Sequence, residues 1–269
     1  MSKIKFAFAQ DGSCGVVIRY GPRRSSCMLK WDLATDSLQV GQWIKPKVQN
    51  FDLNSDGSLI LCFIQSYRKK DGYSPYVTLS KPPWYTALAL WKVGDSWGGL
   101  CGFSDDSSIW IQKGVEHLQL KGALKEGMAW HEISTPAERD ELYRRLAERR
   151  GWKLDASQKK WVKYHPQSGF GLVTLRVSGK TCYALPMGYD SWFWRDPVTG
   201  IESTSSSVDI PSETCIDIDP RGRLVYAGAD GKIYGVERHP NGEFQSRVLH
   251  DLADLKPQWI KAPMEATTW

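Results

Sequence analysis

The feature that most constrains the fold of this 269-residue chain is a repeated pattern of two apolar runs separated by a tight turn. A typical unit has an alternating run, a turn rich in Asp and Gly, and a second apolar run, as in IKFAFAQDGSCGVVIRY. Alternation with a period of two indicates strands, and a turn of this kind between two such runs indicates a hairpin. The turns are centred at positions 11, 56, 105, 168 and 221. We therefore predict a chain built mainly of antiparallel strands.

The spacing of these turns predicts the architecture. Successive turns are 45, 49, 63 and 53 residues apart. The longest interval contains the strongest helix signal, Ser134 to Arg150, in which Ser134 or Thr135 can cap the helix and Glu138 can complete a capping box. Without those 17 residues the interval falls to 46. A period of roughly 45 to 50 residues, the length of a four-stranded propeller blade, then holds five times.

We therefore predict an all-β fold, a five-bladed β-propeller of four-stranded antiparallel blades with one helical insertion, as a single domain over residues 1–269. The predicted blades are roughly 3–44, 45–97, 98–162, 163–213 and 214–249, with the insertion at 134–150 and a C-terminal tail at 250–269. Each end blade can be divided into four strands, because short turns separate four runs. A large β-sandwich is the alternative, but it would not need a regular period.

The blade pattern, an alternating run followed by Asp-Gly and a second apolar run, resembles that of WD40-like β-propeller repeat proteins. Their Gly-His mark is missing here, and Trp31-Asp32 is the one Trp-Asp pair in the sequence. The segment from Pro82 to Phe103, about a tenth of the chain, also resembles uncharacterised bacterial proteins. The resemblance implies the propeller fold and no particular activity.

Composition and motifs argue against several classes of protein. No run of about 18 apolar residues occurs, so no membrane-spanning segment is predicted, and the N-terminus is too briefly apolar for a signal peptide. The six cysteines are far apart and form no C-x-x-C pair, which favours free thiols in a reducing cytoplasm over disulfides or a metal site. No P-loop, dinucleotide-binding or zinc-protease motif occurs, and we predict no cofactor and no metal.

One stretch, Gly94-Asp95-Ser96-Trp97-Gly98, matches the G-x-S-x-G turn that presents a nucleophilic serine in many hydrolases. That turn must be followed by a helix, and Gly98, Gly99 and Gly102 each disfavour a helix by about 1 kcal/mol. All five histidines follow Ser96, which is the wrong order for a trypsin-like triad. We therefore predict a turn between strands here, and the catalytic residues, if any, are unknown.

Aromatic clusters are the sharpest feature of the sequence. Trp, Tyr and Arg anchor protein interfaces because each offers a large rigid area and a polar tip. Two segments combine them, one after Pro82-Pro83 and the other ending in YDSWFWRDP. The predicted partner-binding residues are Trp84, Tyr85, Tyr189, Asp190, Trp192, Trp194 and Arg195. The bland alternative is that these rings fill the space between blades.

Two other functions remain open. Five candidate acids (Asp52, Asp190, Asp196, Asp217 and Asp219) allow a glycan-binding or glycan-hydrolysing propeller. Asp52, Asp217 and Asp219 lie on or beside predicted inner strands, where a structural role is the simpler interpretation. The helical insertion carries possible anion-binding residues, Arg139, Arg144, Arg145 and Arg149, and nucleic-acid contact is the third hypothesis. The net charge of +5, from 35 basic and 30 acidic residues, gives weak support for an anionic partner. We predict another protein as the partner, and we expect the tail to pack on a blade through Trp259 and Ile260.

Overall fold

The computed structural model describes residues 4–21, 25–65, 75–94, 99–114, 118–157, 160–175, 191–203, 208, 210 and 215–269, apart from the side chains of residues 174, 175, 191 and 203. The first sheet contains, in spatial order, β1 (Ile4–Phe8), β2 (Cys14–Tyr20), β3 (Ser26–Asp32) and β4 (Ser37–Ile44). The last sheet contains β18 (Ile216–Ile218), β19 (Leu224–Ala227), β20 (Lys232–Arg238) and β21 (Phe244–Asp251). Both are antiparallel meanders, and their strands overlap the predicted ones closely.

Three further sheets lie between these two in sequence. The second contains β5 (Lys47–Leu53), β6 (Ile60–Gln65), β7 (Tyr76–Ser80), β8 (Ala87–Lys92) and β11 (Gln119–Lys121). The third contains β9 (Cys101–Asp105), β10 (Ser108–Gln112) and β12 (Ala129–Ile133). The fourth contains β13 (Trp152–Asp155), β14 (Lys160–Tyr164), β15 (Phe170–Leu175), β16 (Ser191–Arg195) and β17 (Glu202–Ser203). The fold class is therefore the predicted one, an all-β propeller of five blades, and the described residues include one α-helix.

The middle blades depart from a uniform four-stranded plan. The strand β11, predicted in the third blade, pairs with β8 and becomes a fifth strand of the second sheet. The strand β13, also predicted in the third blade, and the strand β14, which spans the predicted boundary between residues 162 and 163, belong to the fourth sheet. Within the described residues the third sheet has three strands, and β12 runs parallel to β10. The predicted single domain stays a prediction.

Side chains fix the hairpin turns at the five predicted positions. Asp11, Asp56 and Asp105 each accept the backbone N–H of the residue two positions later, at 2.9, 2.8 and 2.9 Å. Asp219 does the same at 3.0 Å, and in the fourth sheet Nδ1 of His165 accepts a backbone N–H at 3.3 Å. A short polar side chain that bonds its own backbone in this way mimics a backbone turn. These turn residues are therefore structural.

The turns of the first three sheets also bond to one another. The backbone N–H of Asp11 donates to the carbonyl oxygen of Ser55 at 3.1 Å. The backbone N–H of Ser55 in turn donates to Oδ1 of Asp106 at 2.7 Å. The repeated turn sequence therefore connects neighbouring blades as well as neighbouring strands.

The helix α1 (Pro136–Arg149) begins where the sequence predicts. The side chain of Thr135 accepts the backbone N–H of Glu138 at 3.2 Å, and Oε2 of Glu138 accepts the backbone N–H of Thr135 at 2.9 Å. This reciprocal pair is the predicted capping box. Leu142 and Leu146, four residues apart on one face, are fully buried. A Cβ atom built on Gly102 would lie 2.6 Å from Leu146, so β9 has a glycine where α1 packs.

The chain divides into two compact units, one formed by Phe6–Leu146 and Lys256–Trp269 and the other by Met1–Lys5 and Ala147–Leu255. The described residues of the first include an apolar cluster around Trp91, Phe103 and Ile109 and another around Ile18 and Phe51. The second unit has a cluster rich in aromatic side chains, described below with the predicted site. Each unit therefore has its own core.

Candidate functional site

The predicted aromatic site in β16 is part of a core. Trp192 and Trp194 are only 7% and 8% exposed and pack edge-on against Phe244, with ring centroids 5.4 and 6.1 Å from its ring. Nε1 of Trp194 donates to the carbonyl oxygen of Ser168 at 2.9 Å, and the Arg238 guanidinium lies 4.0 Å from the Trp194 ring centroid. The expectation that these two rings face a partner is therefore corrected, because their apolar and polar atoms already have neighbours.

Arg195 is the member of this group that remains partly exposed. Its guanidinium pairs with Glu202 and lies 5.1 Å from the ring centroid of Tyr164 and 5.8 Å from that of Phe193. The hydrogen bond to Glu202 raises the pKa of Arg195. Tyr189 and Asp190, predicted beside it, lie outside the described residues.

In the second predicted aromatic pair, Tyr85 is buried and Trp84 is partly exposed. Tyr85 is 6% exposed and belongs to the cluster around Ile18 and Phe51, so its expected place on a surface is also corrected. Burial, followed by the neighbouring Cys62 thiol, raises the pKa of its hydroxyl well above the usual value. Trp84 is half-buried, and its backbone N–H donates to the carbonyl oxygen of Lys81 at 2.9 Å.

The candidate acids carry structural hydrogen bonds, as the simpler interpretation predicts. Asp52 is buried, and its Oδ2 accepts the backbone N–H of Phe103 at 2.9 Å, which joins the first strand of the second sheet to that of the third. Asp217 accepts a hydrogen bond from Nζ of Lys163 at 2.6 Å, and both side chains are largely buried. These hydrogen bonds give both carboxylates a structural role.

Two further acids are engaged in turns. The side chain of Asp219 is fully buried and accepts both the backbone N–H of Arg223, at 2.8 Å, and its Nε, at 2.7 Å. Asp196 accepts the backbone N–H groups of Thr199 and Val198 at 2.8 and 2.9 Å, and these bonds lower its pKa. The geometry therefore gives these acids a role in shaping strands and turns.

The arginines of α1 are partly committed to neighbours. Arg144 and Arg145 both pair with Glu141, each at 2.7 Å, and Arg145 also lies 5.3 Å from the ring centroid of Trp110. Arg139 and Arg149 are half-buried. A solvated, ion-paired helix face explains this pattern without an anionic ligand.

The described part of the chain includes little of the candidate serine motif. Ser96 and the rest of its motif lie outside it, apart from Gly94, which has the positive φ of 88° that suits a turn. No cluster of His, Cys, Asp or Glu that could hold a metal occurs among the described residues. Five of the cysteines are free and buried, and burial raises the pKa of Cys27 to about 12.

The C-terminal tail presents large apolar side chains, and two of them, Trp259 and Ile260, are the residues that the sequence predicts to pack on a blade. Trp259 is 61% exposed and Met264, at the start of a 3-10 helix (Met264–Ala266), is 81% exposed. Ile260 and Trp269 are also exposed. The expected packing through Trp259 and Ile260 is therefore corrected, since the buried tail residues are Leu252, Ala262 and Ala266.

Hydrogen bonds to the blades hold this tail in place. Nζ of Lys81 donates to the carbonyl oxygens of Glu265 and Thr268, at 3.0 and 2.6 Å. Nε1 of Trp269 donates to the carbonyl oxygen of Ala123 at 2.9 Å, and Nζ of Lys45 lies 5.9 Å from the Trp259 ring centroid. Lys81 and the carbonyl oxygen of Ala123 thus anchor a segment whose large apolar side chains are exposed. We call Trp259, Ile260, Met264, Trp269 and Lys45 the tail surface.

A sequence signal for the tail surface exists in retrospect. The segment DLKPQWIKAPMEATTW contains two prolines and has no alternation of period two, so it offers no strand to bury its apolar residues. Apolar residues outside any periodic element have no predicted core face. Their exposure therefore follows from the same pattern rules that identified the blades.

Comparison with known proteins adds little beyond this geometry. No protein-family model and no curated protein matches the chain. No helix among the described residues is long and apolar enough to cross a membrane.

Solved structures give weak matches to propeller proteins. TolB from Acinetobacter baumannii is 13% identical with a TM-score of 0.31, over 92% of this chain and 54% of that chain, so this chain spans about half of TolB. The C-terminal WD40 domain of Sif2 is 9% identical with a TM-score of 0.28, over 88% of this chain and 81% of that one. An acylaminoacyl peptidase from Pyrococcus horikoshii is 13% identical with a TM-score of 0.24, over 95% and 33%. At these scores the matches assign no function, and the propeller fold rests on strand order and pairing.

Proposed function

We propose that this protein is a non-enzymatic scaffold that binds another protein through its tail surface. The observation that carries the proposal is that Trp259 and Met264 are 61% and 81% exposed on a segment whose backbone is held by Lys81. Scattered exposed apolar residues are normal on a protein surface. A tryptophan and a methionine five residues apart on an anchored segment are better explained as contacts for a partner.

Anchoring makes the tail surface suited to binding. Association costs free energy because side chains and loops lose conformational freedom at the interface. The bonds from Lys81 and from Trp269 order the tail before any partner arrives. Trp259 also presents a large rigid ring, and tryptophan is the residue type most enriched among interface hot spots. Binding therefore does not have to order the tail, and that cost does not reduce the free energy gained from contacts with the Trp259 ring.

The charges around the tail surface indicate the chemistry of the partner. Lys45, Lys256 and Lys261 are all exposed and lie beside or within the tail. A partner segment with apolar side chains for Trp259 and Met264 and acidic groups for these lysines would be complementary. Buried free thiols favour a reducing compartment, which supports a cytoplasmic partner. Trp84 and Arg195 remain proposed contacts because both are partly exposed.

Affinity capture from native lysate with the tagged full chain tests this function. The tail variant Trp259→Ala/Met264→Ala should lose a protein that the unmodified chain retains in stoichiometric amount. Loss of hot-spot residues costs about 2 kcal/mol or more, or roughly thirtyfold in affinity. Mass spectrometry of the retained proteins provides the measurement.

A matched control distinguishes specific binding by the tail surface from nonspecific binding to any exposed apolar residue. Val198 is 92% exposed and Ile201 is also largely exposed, and neither belongs to the tail. The variant Val198→Ala/Ile201→Ala should therefore capture the same protein as the unmodified chain. Identical capture by the tail variant, or capture lost equally in both variants, would contradict the proposal.

A further inference from the structure

No described strand pairs with the outer edge of the third sheet, on the side of β12 that faces away from β10. Its described strands follow the order β9-β10-β12, whereas the other sheets have four or five strands. The strand that would have followed β10, β11, pairs with β8 in the second sheet instead. As a result β12 lies directly against β10, in parallel register with Trp110 opposite His131.

Hydrogen bonds to β10 show which backbone groups of β12 face outward. The backbone N–H of Ala129 donates to Ser107 at 2.8 Å, and the carbonyl oxygen of Ile133 accepts from Lys113 at 3.0 Å. The N–H and C=O of one residue in a strand point to the same side, and the side alternates along the strand. The N–H and C=O groups of Trp130 and Glu132 therefore point away from β10. Among the described residues they have no hydrogen-bond partner.

The two faces of the third sheet are covered, whereas none of the described strands pairs with this edge. On one face α1 packs over Gly102, and Arg145 lies over Trp110. On the other face Ile109 and Ile111 are fully buried in the cluster around Trp91. An added strand would therefore extend a sheet whose two faces already pack against α1 and against the cluster around Trp91.

The side chains along the edge favour an added strand. Natural proteins protect open edges with lysine, proline or a bulge, and β12 (AWHEI) contains neither lysine nor proline. Glu132 is already paired with Lys113 at 3.0 Å. Trp130 is half-buried and packs edge-on against Trp91, with ring centroids 6.2 Å apart. An apolar side chain beside Trp130 would complete the burial of this ring.

We propose that β12 accepts an extended segment of a partner protein as an additional antiparallel strand. The N–H and C=O groups of Trp130 and Glu132 pair with the segment, and an apolar side chain of the segment packs beside Trp130. We expect the antiparallel arrangement because its hydrogen bonds lie perpendicular to the strands, which makes the pairing of two strands more stable. Main-chain pairing supplies affinity in this mode, and alternate side chains supply specificity. The site is independent of the tail surface.

The experiment uses the full chain and a blocked synthetic peptide, acetyl-Lys-Thr-Val-Thr-Val-Thr-Lys-amide, at millimolar concentration. Amide hydrogen exchange is measured by NMR. Without peptide, the amides of Trp130 and Glu132 should exchange rapidly, whereas those of His131 and Ile133, which face β10, should be protected. With peptide, exchange at Trp130 and Glu132 should slow by about tenfold or more, because each amide gains a hydrogen bond.

Matched variants and a matched peptide make the result specific. Glu132→Pro removes one outward N–H and should weaken peptide binding by about tenfold, whereas Glu132→Ala keeps the N–H and should change it less. The same peptide N-methylated at both valines should fail to protect the two amides, a control that needs no protein variant. Trp259→Ala/Met264→Ala should bind the peptide normally, so that failure of the tail proposal is distinguishable.

Several outcomes would overturn the proposal. The first is unchanged exchange at Trp130 and Glu132 with saturating peptide. The second is equal protection by the N-methylated peptide. The third is protection that rises with protein concentration in the absence of peptide, which would make a second copy of this chain the occupant.

Discussion

At the scale of single residues, polar groups in this chain act mainly on the neighbouring backbone. Oε2 of Glu138 accepts the backbone N–H groups of Ser134 and Thr135, both at 2.9 Å, and the hydroxyl of Thr135 at 3.0 Å. These bonds favour the charged carboxylate, so they lower the pKa of Glu138 to about 2. Because the folded pKa is below the unfolded one, this contribution to stability is complete above about pH 4.3 and is lost as the pH falls towards 2.

The pKa of Glu138 is therefore the first prediction at this scale. An NMR titration of the side-chain carboxyl should give a midpoint near pH 2. Thr135→Val removes the hydroxyl donor but leaves the backbone donors, and it should raise the midpoint towards the ordinary glutamate value. A midpoint in the ordinary range for the unmodified chain would show that the capping box does not form in solution.

Residue type alone predicts the wrong environment for the two tryptophans of the aromatic site, which are buried. The enrichment of Trp and Arg at interfaces favours a surface position for Trp192 and Trp194, but the two lie two residues apart in β16 and share one face of it. That face packs on Phe170 and Phe244. Their period-two spacing is therefore the signal that would have placed both rings in a core.

At the scale of elements, several turns contain glycines with a positive φ, and the space around these glycines differs from turn to turn. Gly57 has φ of 65°, and a Cβ there would lie 2.4 Å from Sγ of Cys14. Gly127 has φ of 82°, and a Cβ there would meet nothing within 4 Å. The two positions share the backbone conformation and differ in the space around it.

Substituting alanine at each position separates these two effects. Gly127→Ala should destabilise the protein by about 1–2 kcal/mol, the cost of a left-handed conformation for a residue with a Cβ. Gly57→Ala should cost about 1–3 kcal/mol more, because the methyl group also displaces packed neighbours. Urea unfolding of both variants measures the difference. Equal destabilisation would mean that the turn relaxes away from Cys14.

Local signals predicted the elements well and their partners less well. The hairpins, the turns and the capped helix follow from short-range rules, and α1 begins and ends within two residues of its predicted bounds. The pairing of β11 with β8 and the parallel β10–β12 pair are non-local choices. Alternation assigns a strand to a face of a sheet, but it does not identify the neighbouring strand.

At the scale of the whole molecule, the net charge of +5 and the exposed lysines are compatible with either a nucleic acid or a protein as the partner. The two alternatives differ in how strongly salt weakens the binding. Nucleic-acid complexes that neutralise several phosphates lose about a thousandfold or more in affinity between 50 and 200 mM salt. Apolar contact at Trp259 and Met264 is not screened by salt, and only the lysine contribution should weaken. Arg144 and Arg145 are already paired with Glu141, which reduces the charge available for phosphates.

We therefore expect capture of the partner to survive high salt. The dissociation constant of the captured protein should rise less than about tenfold between 50 and 200 mM salt, because few ion pairs are screened. Titration of the purified partner at several salt concentrations gives the slope, and Arg139→Ala/Arg149→Ala should leave that slope unchanged. A steep slope that these substitutions reduce would instead place the contact on α1 and favour a nucleic acid.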